Sequence, residues 1–402
     1  MKWRLVNIPE VLFFQEGPGV RKWQFTDSGV KLLNVGNLND NQLNLSTTSI
    51  YISNEEAFGK YSHFLVEEGD LLIGCSGIVV DKFHQKMAFA QKSDLPLCMN
   101  TSTMRFRCLD ERLDIRFFMY VLQSKIFTNQ LRKLITGSAQ LNFGPSHIKQ
   151  IQIPLPPLPV QQKIAAILDA ADAYRQKTKA LIEKYDQLAQ SLFLEMFGDP
   201  VRNEKGWEVK AGEEYCSEIT VGVVIKPASY YVEEGVVALR SLNIKPNAFD
   251  LSNLVYFSKE SHSTQLKKSI LNESDIVIVR TGNTGTAAVI PESLSNSNCI
   301  DLIIVRPNKM IVNPKYITYL INSKPGKKLV SGKEVGGIQK HFNIGSFKKL
   351  LLPIPPKEIQ DQFVESINII DQQRLKLEIS MIKSEELFQS LLQKAFNGDL
   401  VS

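Results

Sequence analysis

The residues best equipped for chemistry are scattered along this chain rather than clustered. Five histidines, His63, His84, His147, His262 and His341, lie singly, and none has a neighbouring nucleophile or carboxylate in the pattern of a triad. Five cysteines, Cys75, Cys98, Cys108, Cys216 and Cys299, are odd in number and show no close pair. That argues against a disulfide framework, fits a reducing compartment, and leaves no Cys/His pair at zinc-site spacing. "NPKY" from Asn313 is only a faint counterpart of an amino-methyltransferase motif, because a second proline is missing and no glycine-rich cofactor loop precedes it. "VRTGNTG" from Val279 looks like a glycine loop that cradles phosphate, but it lacks the Gly-Lys-Ser/Thr ending of a nucleotide P-loop. It reads either as a tight turn using Gly282 and Gly285, or as a loop whose Arg280, Thr281, Asn283 and Thr284 touch a nucleic-acid backbone or base. The chain reads as non-catalytic, with no metal site.

Binding chemistry is better represented. Lys324, Lys327, Lys328, Lys333, Lys340, Lys348 and Lys349 crowd one stretch against a single acid, Glu334. A second stretch carries Lys125, Arg132, Lys133 and Lys149 with no acid. Each run reads as a solvated face or as a surface contacting phosphates; two in matching places favour the second reading. Within them sit Gln140 and Asn142 in one case, Gln339, His341 and Asn343 in the other. Amide side chains pair donor and acceptor groups as an adenine edge requires, though they are also common in turns. The net charge of +5 permits a polyanionic partner without demanding one.

These matching places belong to a duplication. "KWRLVNIPEV" near Trp3 pairs with "GWEVKAGEEY" near Trp207, and "GVKLLNVGNLN" from Gly29 with "GVVALRSLNIK" from Gly235. "GDLLIGCSG" from Gly69 pairs with "SDIVIVRTG" from Ser274, which puts Cys75 where the second copy has Arg280. "TGSAQLNFGPSHIKQIQIP" from Thr136 pairs with "VGGIQKHFNIGSFKKLLLP" from Val335, and "FGD" at Phe197 with "NGD" at Asn397. Order is kept and the offset stays near 200 residues, so the chain is a tandem repeat. Each copy begins with about 150 residues of short strand-like runs, helical patches and Gly/Asn/Pro turns, which predicts a compact α/β or α+β globule. The boundaries read 1–152 and 200–351 for the globules, and 153–199 and 352–402 for the segments that come after them.

Each of those later segments opens with a proline ladder and runs into a periodic stretch: "IPLPPLPVQQKIAAIL" from Ile153 and "LPIPPKEIQDQFVESI" from Leu352. Proline is tolerated only in a helix's first turn, so the ladders predict extended chain with a helix starting near Val160 and its twin. Ile164, Ile167, Ala171, Tyr174, Thr178, Leu181, Tyr185, Leu188 and Leu192 then advance in steps of three and four. The twin stripe is Phe363, Ile367, Ile370, Arg374, Leu377, Met381, Ser384, Phe388, Leu391 and Ala395, with Arg374 and Ser384 as polar intrusions. Gly198 and Gly398 are plausible stops. Two matched heptad stripes in one chain predict an intramolecular coiled coil of helices about 55 Å long. The plainer alternative is that each helix packs on its own globule. The longest apolar runs, such as Val11 to Phe14 and Leu350 to Leu352, are far short of a membrane span, and nothing after Lys2 and Arg4 makes a signal peptide. Cytoplasmic residence is the expectation.

"IPLPPLPVQQKIAAILDAADA" with "FGDPVRNEKGWEV" resembles the central conserved region of the DNA-specificity subunits of type I restriction-modification systems. "LPIPPKEIQDQF" with "FNGDL" resembles their C-terminal conserved region. "TGSAQLNFGPSHIKQIQIPLPP" and "SDIVIVRTGNTG" also resemble patterns of that family, and the similarity covers essentially the whole chain. The resemblance implies two target recognition domains separated by two long antiparallel helices, each domain reading one half of a bipartite, asymmetric duplex site. It further implies that the helices dock two modification subunits, which methylate adenine with S-adenosylmethionine, and that restriction subunits using ATP and magnesium join them. A methyltransferase with degenerate motifs, and a coiled-coil scaffold without DNA binding, are the alternatives.

Overall fold

Single strands divide each globule into layers. A computed structural model of the chain describes residues 3–135, 142–331 and 342–401. Strand Leu71–Gly74 is buried along its whole length, and its alternate residues point to opposite faces. Leu71 and Ile73 join a helix-packed core with Phe106, Phe117 and Phe118, while Leu72 joins Leu33, Leu97 and Met99 beneath a second sheet. Strand Ile276–Val279 repeats the arrangement, with Ile276 and Ile278 on one side and Val277 and Val279 on the other. A continuous apolar run bounded by turns therefore reports a strand covered on both faces.

Topology is duplicated in the same detail. In the first copy an antiparallel sheet has the order Leu12–Glu16, Thr103–Cys108, Leu71–Gly74, Met87–Phe89. Its counterpart runs Cys216–Val221, Leu302–Pro307, Ile276–Val279, Ala287–Val289. Each second sheet contains one parallel pair, Leu97–Met99 on Val30–Leu33 and Asn298–Cys299 on Val236–Leu239. The globules are thus mixed α and β, with mainly antiparallel sheets. A buried Asp–Arg pair recurs as well: Asp70 with Arg105 and Arg107, and Asp275 with Arg306.

The proline ladders prove to be necks. Ile153 and Pro154 pair antiparallel with Val6 and Leu5, and Leu352 and Pro353 with Lys210 and Val209, so each globule is closed by strands from its two ends. A glutamine then locks the start of each long helix. Gln161 is fully buried; its Oε1 accepts from the Asp114 N–H at 2.9 Å, and its Nε2 donates to the carbonyls of Arg112 and Pro156. Gln360 accepts from the Asn313 N–H at 2.8 Å and donates to the carbonyls of Ile311 and Pro355. Asp114 and Asn313 are themselves the N-caps of helices Ile115–Gln123 and Pro314–Asn322.

The long helices are Leu158–Phe197 and Lys357–Asn397. The chain forms two compact units, Met1–Thr178 with Ser380–Ser402, and Lys179–Ile379. Both helices contribute to each. In the first unit Ile164, Ala165 and Leu168 share a core with Phe388, Leu392 and Phe396. Arg175 lies over the Phe388 ring at 4.3 Å and pairs with Glu385. In the second, Phe193 and Phe197 meet Phe363 at ring-centroid distances of 5.6 and 5.2 Å, while Asp186 bonds Arg374 at 3.1 Å. Within the first unit Tyr174 reaches Ser380 while the earlier Ile164, Ala165 and Leu168 lie with the later Phe388, Leu392 and Phe396, an antiparallel pairing.

The predicted stripe needs correction on the first helix. Tyr174 is 54% exposed, although its hydroxyl reaches Ser380 Oγ at 2.9 Å, and Leu188 is 50% exposed. Ala189 and Phe193 are buried instead. A straight helix drifts about 20° per heptad from a 3.5-residue stripe, so the covered face rotates by one position along its length. The rotation also serves the globules: Phe193 and Phe197 stack against Tyr316, and Phe388 and Phe396 against Tyr120 and Phe117. The helix pair and the helix-on-globule packing are both present. Seam Thr178 and Ser384 are buried and return their hydroxyls to their own helix, to Tyr174 O and Met381 O.

Candidate nucleic-acid interface

In the second unit two candidate segments and a third loop form one connected surface. Helix Lys324–Ser331 presents Lys324 and Lys328 to solvent. Lys327 is half-buried; its Nζ donates to Thr286 Oγ1 at 2.9 Å, and burial holds its ammonium below the usual lysine range. Val330, on the same helix, presses on Gly285, where a Cβ would come within 2.5 Å of Val330 Cγ1. Gly285 also has φ +76°, so this position requires glycine on both counts. The lysine helix and the glycine-rich turn are therefore one rigid piece.

That turn exposes Thr281 and Asn283 at its tip, with Thr284 half-buried. Arg280 is only partly exposed, and its Nη1 donates to Asp301 Oδ1 at 2.6 Å. Asp301 carries the contact onward, since its N–H bonds Val223 O at 3.1 Å. Val223 in turn begins an exposed loop, Val224, Ile225 and Lys226, which the sequence did not single out.

The first unit repeats the surface with different side chains. Helix Lys125–Leu134 exposes Lys125, Arg132 and Lys133. Phe127 stacks on Phe83 at 5.4 Å, tying this helix to the 3-10 segment that comes after the Ser76–Val79 loop. Asn142 acts within the fold: its Oδ1 accepts from Ser76 Oγ and from the Gly77 N–H, both at 2.9 Å, and so holds that loop. Cys75 is buried with its thiol pushed up to about 12, because desolvation disfavours the thiolate. Its backbone oxygen receives the Phe143 N–H. A polar cleft of about 230 Å³ lies beside the lysine helix, lined by His84, Lys125, Asn129, Arg132 and Arg175 among others. Gln140, Lys333, Gln339, Lys340 and His341 lie outside the described residues. Among the described residues no group of His, Cys, Asp and Glu could hold a metal ion, and no helix is long and apolar enough to cross a membrane.

The long helices offer a second surface. On Lys357–Asn397, Leu375 and Ile379 stand one turn apart, 56% and 47% exposed, away from the seam residues Arg374 and Leu377. In the first unit Ile382 and Leu387 are exposed on the same helix.

Two divergent mixed α/β globules, each with a basic helix and a glycine-containing loop and each locked to the start of a long helix, define a tandem nucleic-acid recognition protein. The chain belongs to the type I restriction modification DNA specificity family, whose model matches residues 1–184 and 241–384. It is 22% identical to the type I restriction enzyme EcoBI specificity subunit of Escherichia coli, over all of this chain and 86% of that protein. It is 21% identical to the MjaIX specificity subunit of Methanocaldococcus jannaschii, over 87% of this chain and 83% of that one. Among solved structures, the S subunit of a type I restriction-modification system from M. genitalium superposes with a TM-score of 0.57 at 14% identity, covering 98% of this chain and 96% of that one. A chain from a study of complex assembly and conformational transition of the type I R-M system gives 0.55 at 18% identity, covering 99% and 98%. The family places the chain as a DNA-recognition subunit, which removes the methyltransferase and scaffold alternatives.

Proposed function

We propose that the two globules each read one half of a bipartite, asymmetric duplex site, while the long helices set the unread spacer and dock two modification subunits. The observation that supports this reading is the duplication itself: one topology occurs twice, with different residues at the glycine-rich turn, Cys75 to Gly77 against Arg280 to Gly285. Two equal scaffolds with unlike loops can read unlike sequences, and the distance between them fixes half-site separation, as dimer geometry does in other DNA readers. Exposed lysines on helices Lys125–Leu134 and Lys324–Ser331 supply salt-dependent phosphate affinity, and loop side chains supply discrimination. In the second unit Leu375 and Ile379 offer apolar anchors one turn apart for a partner helix.

In this reading catalysis lies on partners: modification subunits methylate adenine with S-adenosylmethionine, and restriction subunits bring ATP and magnesium. The complex works on cytoplasmic DNA. Mapping methylated bases in cells co-expressing this chain and its modification subunit tests the proposal. One motif with two defined blocks around a fixed gap is the expected result; methylation without a gapped motif refutes it. Inserting one heptad into each long helix at matched positions is expected to widen the gap.

A further inference from the structure

The loop that leaves the outer strand of each helix-packed sheet has the same construction in both units. After Leu12–Glu16 comes Gly17, and after Cys216–Val221 comes Gly222. Each glycine is pressed onto backbone, where a Cβ would lie 2.3 Å from Asn100 O or 2.4 Å from Cys299 O. Each loop then ends in a 3-10 turn, Lys22–Gln24 or Pro227–Tyr230. Each loop holds a large apolar side chain in solvent: Trp23, inside its 3-10 turn, at 79% exposure, and Ile225, two residues before its turn, at 80%. Met310 is comparably exposed, but it lies beyond the opposite end of strand Leu302–Pro307.

Neither tip is loose. Gln24, beside Trp23, is buried; its Nε2 donates to Glu56 and to Tyr61 Oη, and its Oε1 accepts from the Arg21 N–H. Lys226, beside Ile225, holds φ +43°, a conformation lysine rarely adopts, and its carbonyl accepts from both the N–H and the hydroxyl of Ser229. Such strain needs a surrounding structure that imposes it, and marks positions where a side chain is being aimed. The flanks of both tips are basic: Arg21 and Lys22 are exposed beside Trp23, and Lys226 beside Ile225. The acids Glu233 and Glu234 come one strand further on, beyond Tyr231–Val232.

Both tips also adjoin the surface already described. Val223 carries the Ile225 loop onto Asp301 and hence Arg280, and Gly19 lies against Thr101, whose carbonyl accepts from the Cys75 thiol. We propose that Trp23 and Ile225 are specificity-determining contacts to the bases of duplex DNA, one for each half-site, with Arg21, Lys22 and Lys226 holding the adjoining phosphates. This rests on the DNA-reading function above and deepens it. A rigid apolar tip beside cations can press on thymine methyls or wedge against a base step, which polar loops cannot do. The two tips stand at different distances from their glycines and differ in shape, so the half-sites they favour differ.

The test uses the full chain assembled with its modification subunit, methylating a duplex library randomised across both half-sites. Trp23→Ala is expected to lower selectivity about tenfold at one or two base pairs of a single half-site, leaving the other unchanged. Ile225→Ala is expected to do the same at the opposite half-site, and Trp23→Phe to retain most of the preference. Arg21→Ala with Lys22→Ala is expected to weaken all sequences alike and to flatten the salt dependence. Trp23 and Ile225 are exposed, so the variants retain the fold, checked by unchanged melting. A selective wild-type complex whose selectivity survives both tip substitutions overturns the tip assignment and leaves the DNA reading intact. Uniform loss across both half-sites also overturns it. A wild-type complex with no selectivity overturns both.

Discussion

Gln161→Ala removes the whole lock between the first neck and its globule. The side chain is fully buried and makes three hydrogen bonds, one from the Asp114 N–H and two to the carbonyls of Arg112 and Pro156. Alanine leaves those three backbone groups, the Pro156 carbonyl buried and the other two partly so, without their partner, at a cost of about 1–3 kcal/mol for a buried unsatisfied group. Partial relaxation and water entry limit the total, so about 3 kcal/mol is expected for the first unit. At roughly 2–4 °C per kcal/mol for a unit of this size, its melting transition falls by about 6–12 °C. Calorimetry of the full chain resolves which unit responds: Gln161→Ala lowers one transition and Gln360→Ala the other. Gln161→Glu sharpens the test. Its carboxylate can accept from Asp114 N–H, but its second oxygen faces two carbonyls, so the folded state raises its pKa. A raised carboxylate pKa costs stability above the unfolded value near 4.3, and the cost shrinks as pH falls toward that value. The glutamate variant is therefore expected to recover stability on acidification relative to alanine. A shift below about 1 °C for either alanine variant, or a glutamate penalty independent of pH, refutes the reasoning.

The same geometry sets four further outcomes. Leu375→Asp with Ile379→Asp is expected to abolish co-purification with the modification subunit while leaving the isolated chain's melting within about 1 °C, since both side chains are exposed. Arg374→Met is expected to change stability by less than about 1 kcal/mol, because its partner Asp186 is half exposed and a methionine continues the seam. Arg175→Ala, by contrast, is expected to cost about 1–2 kcal/mol in the first unit, where the guanidinium is mostly buried against Phe388 and paired with Asp172 and Glu385. Thiol titration at pH 8 is expected to find almost no reactive cysteine in the folded chain and five after unfolding. Burial pushes Cys75, Cys98 and Cys216 up to about 12 and Cys108 up to about 11.

How much is legible in the sequence divides by length scale. The duplication, the neck prolines and the two long helices are one-dimensional signals, and each stands in the structure near its predicted place. The second helix keeps its stripe, with Phe363, Ile367, Ile370 and Phe388 all buried. The first does not, because a heptad reading assumes one partner. Phe193 and Phe197 serve the second globule as well as the other helix, and that demand turns the face away from Leu188. For the interface, the exposed lysines are readable from charge alone, whereas Lys327 is not: its tie to Thr286 depends on a turn 41 residues away. Asn142 reads as a base contact in the sequence, but its oxygen is given to Ser76 and Gly77 across a comparable gap. Trp23 and Ile225 carry no shared letters at all. What the copies share there is a glycine against a backbone carbonyl, a geometric constraint that leaves the tip residue free.

The distribution of likeness between the copies is itself an argument about function. The buried glutamine recurs with the same hydrogen bonds, and an Asp–Arg pair and a capped helix at the neck recur as well, with bonds that differ in detail. At those sites one chain satisfied the same buried polar groups twice, and a buried group without a partner is costly enough to fix the residue. The glycine-rich turn recurs in place but changes in kind, Cys75 for Arg280, and the corresponding loops carry unlike apolar tips at different positions, Trp23 within its 3-10 turn and Ile225 before it. Exposed tips carry little folding energy, so nothing in stability requires them to match. A structural duplication kept for packing alone would leave such tips polar and arbitrary. Here each copy instead holds an apolar side chain out, beside a cation, on the loop that leaves the outer strand of its helix-packed sheet. The necks repeat because both globules must be gripped in the same way. On the proposed reading the tips diverge because the two halves of an asymmetric target are not the same sequence.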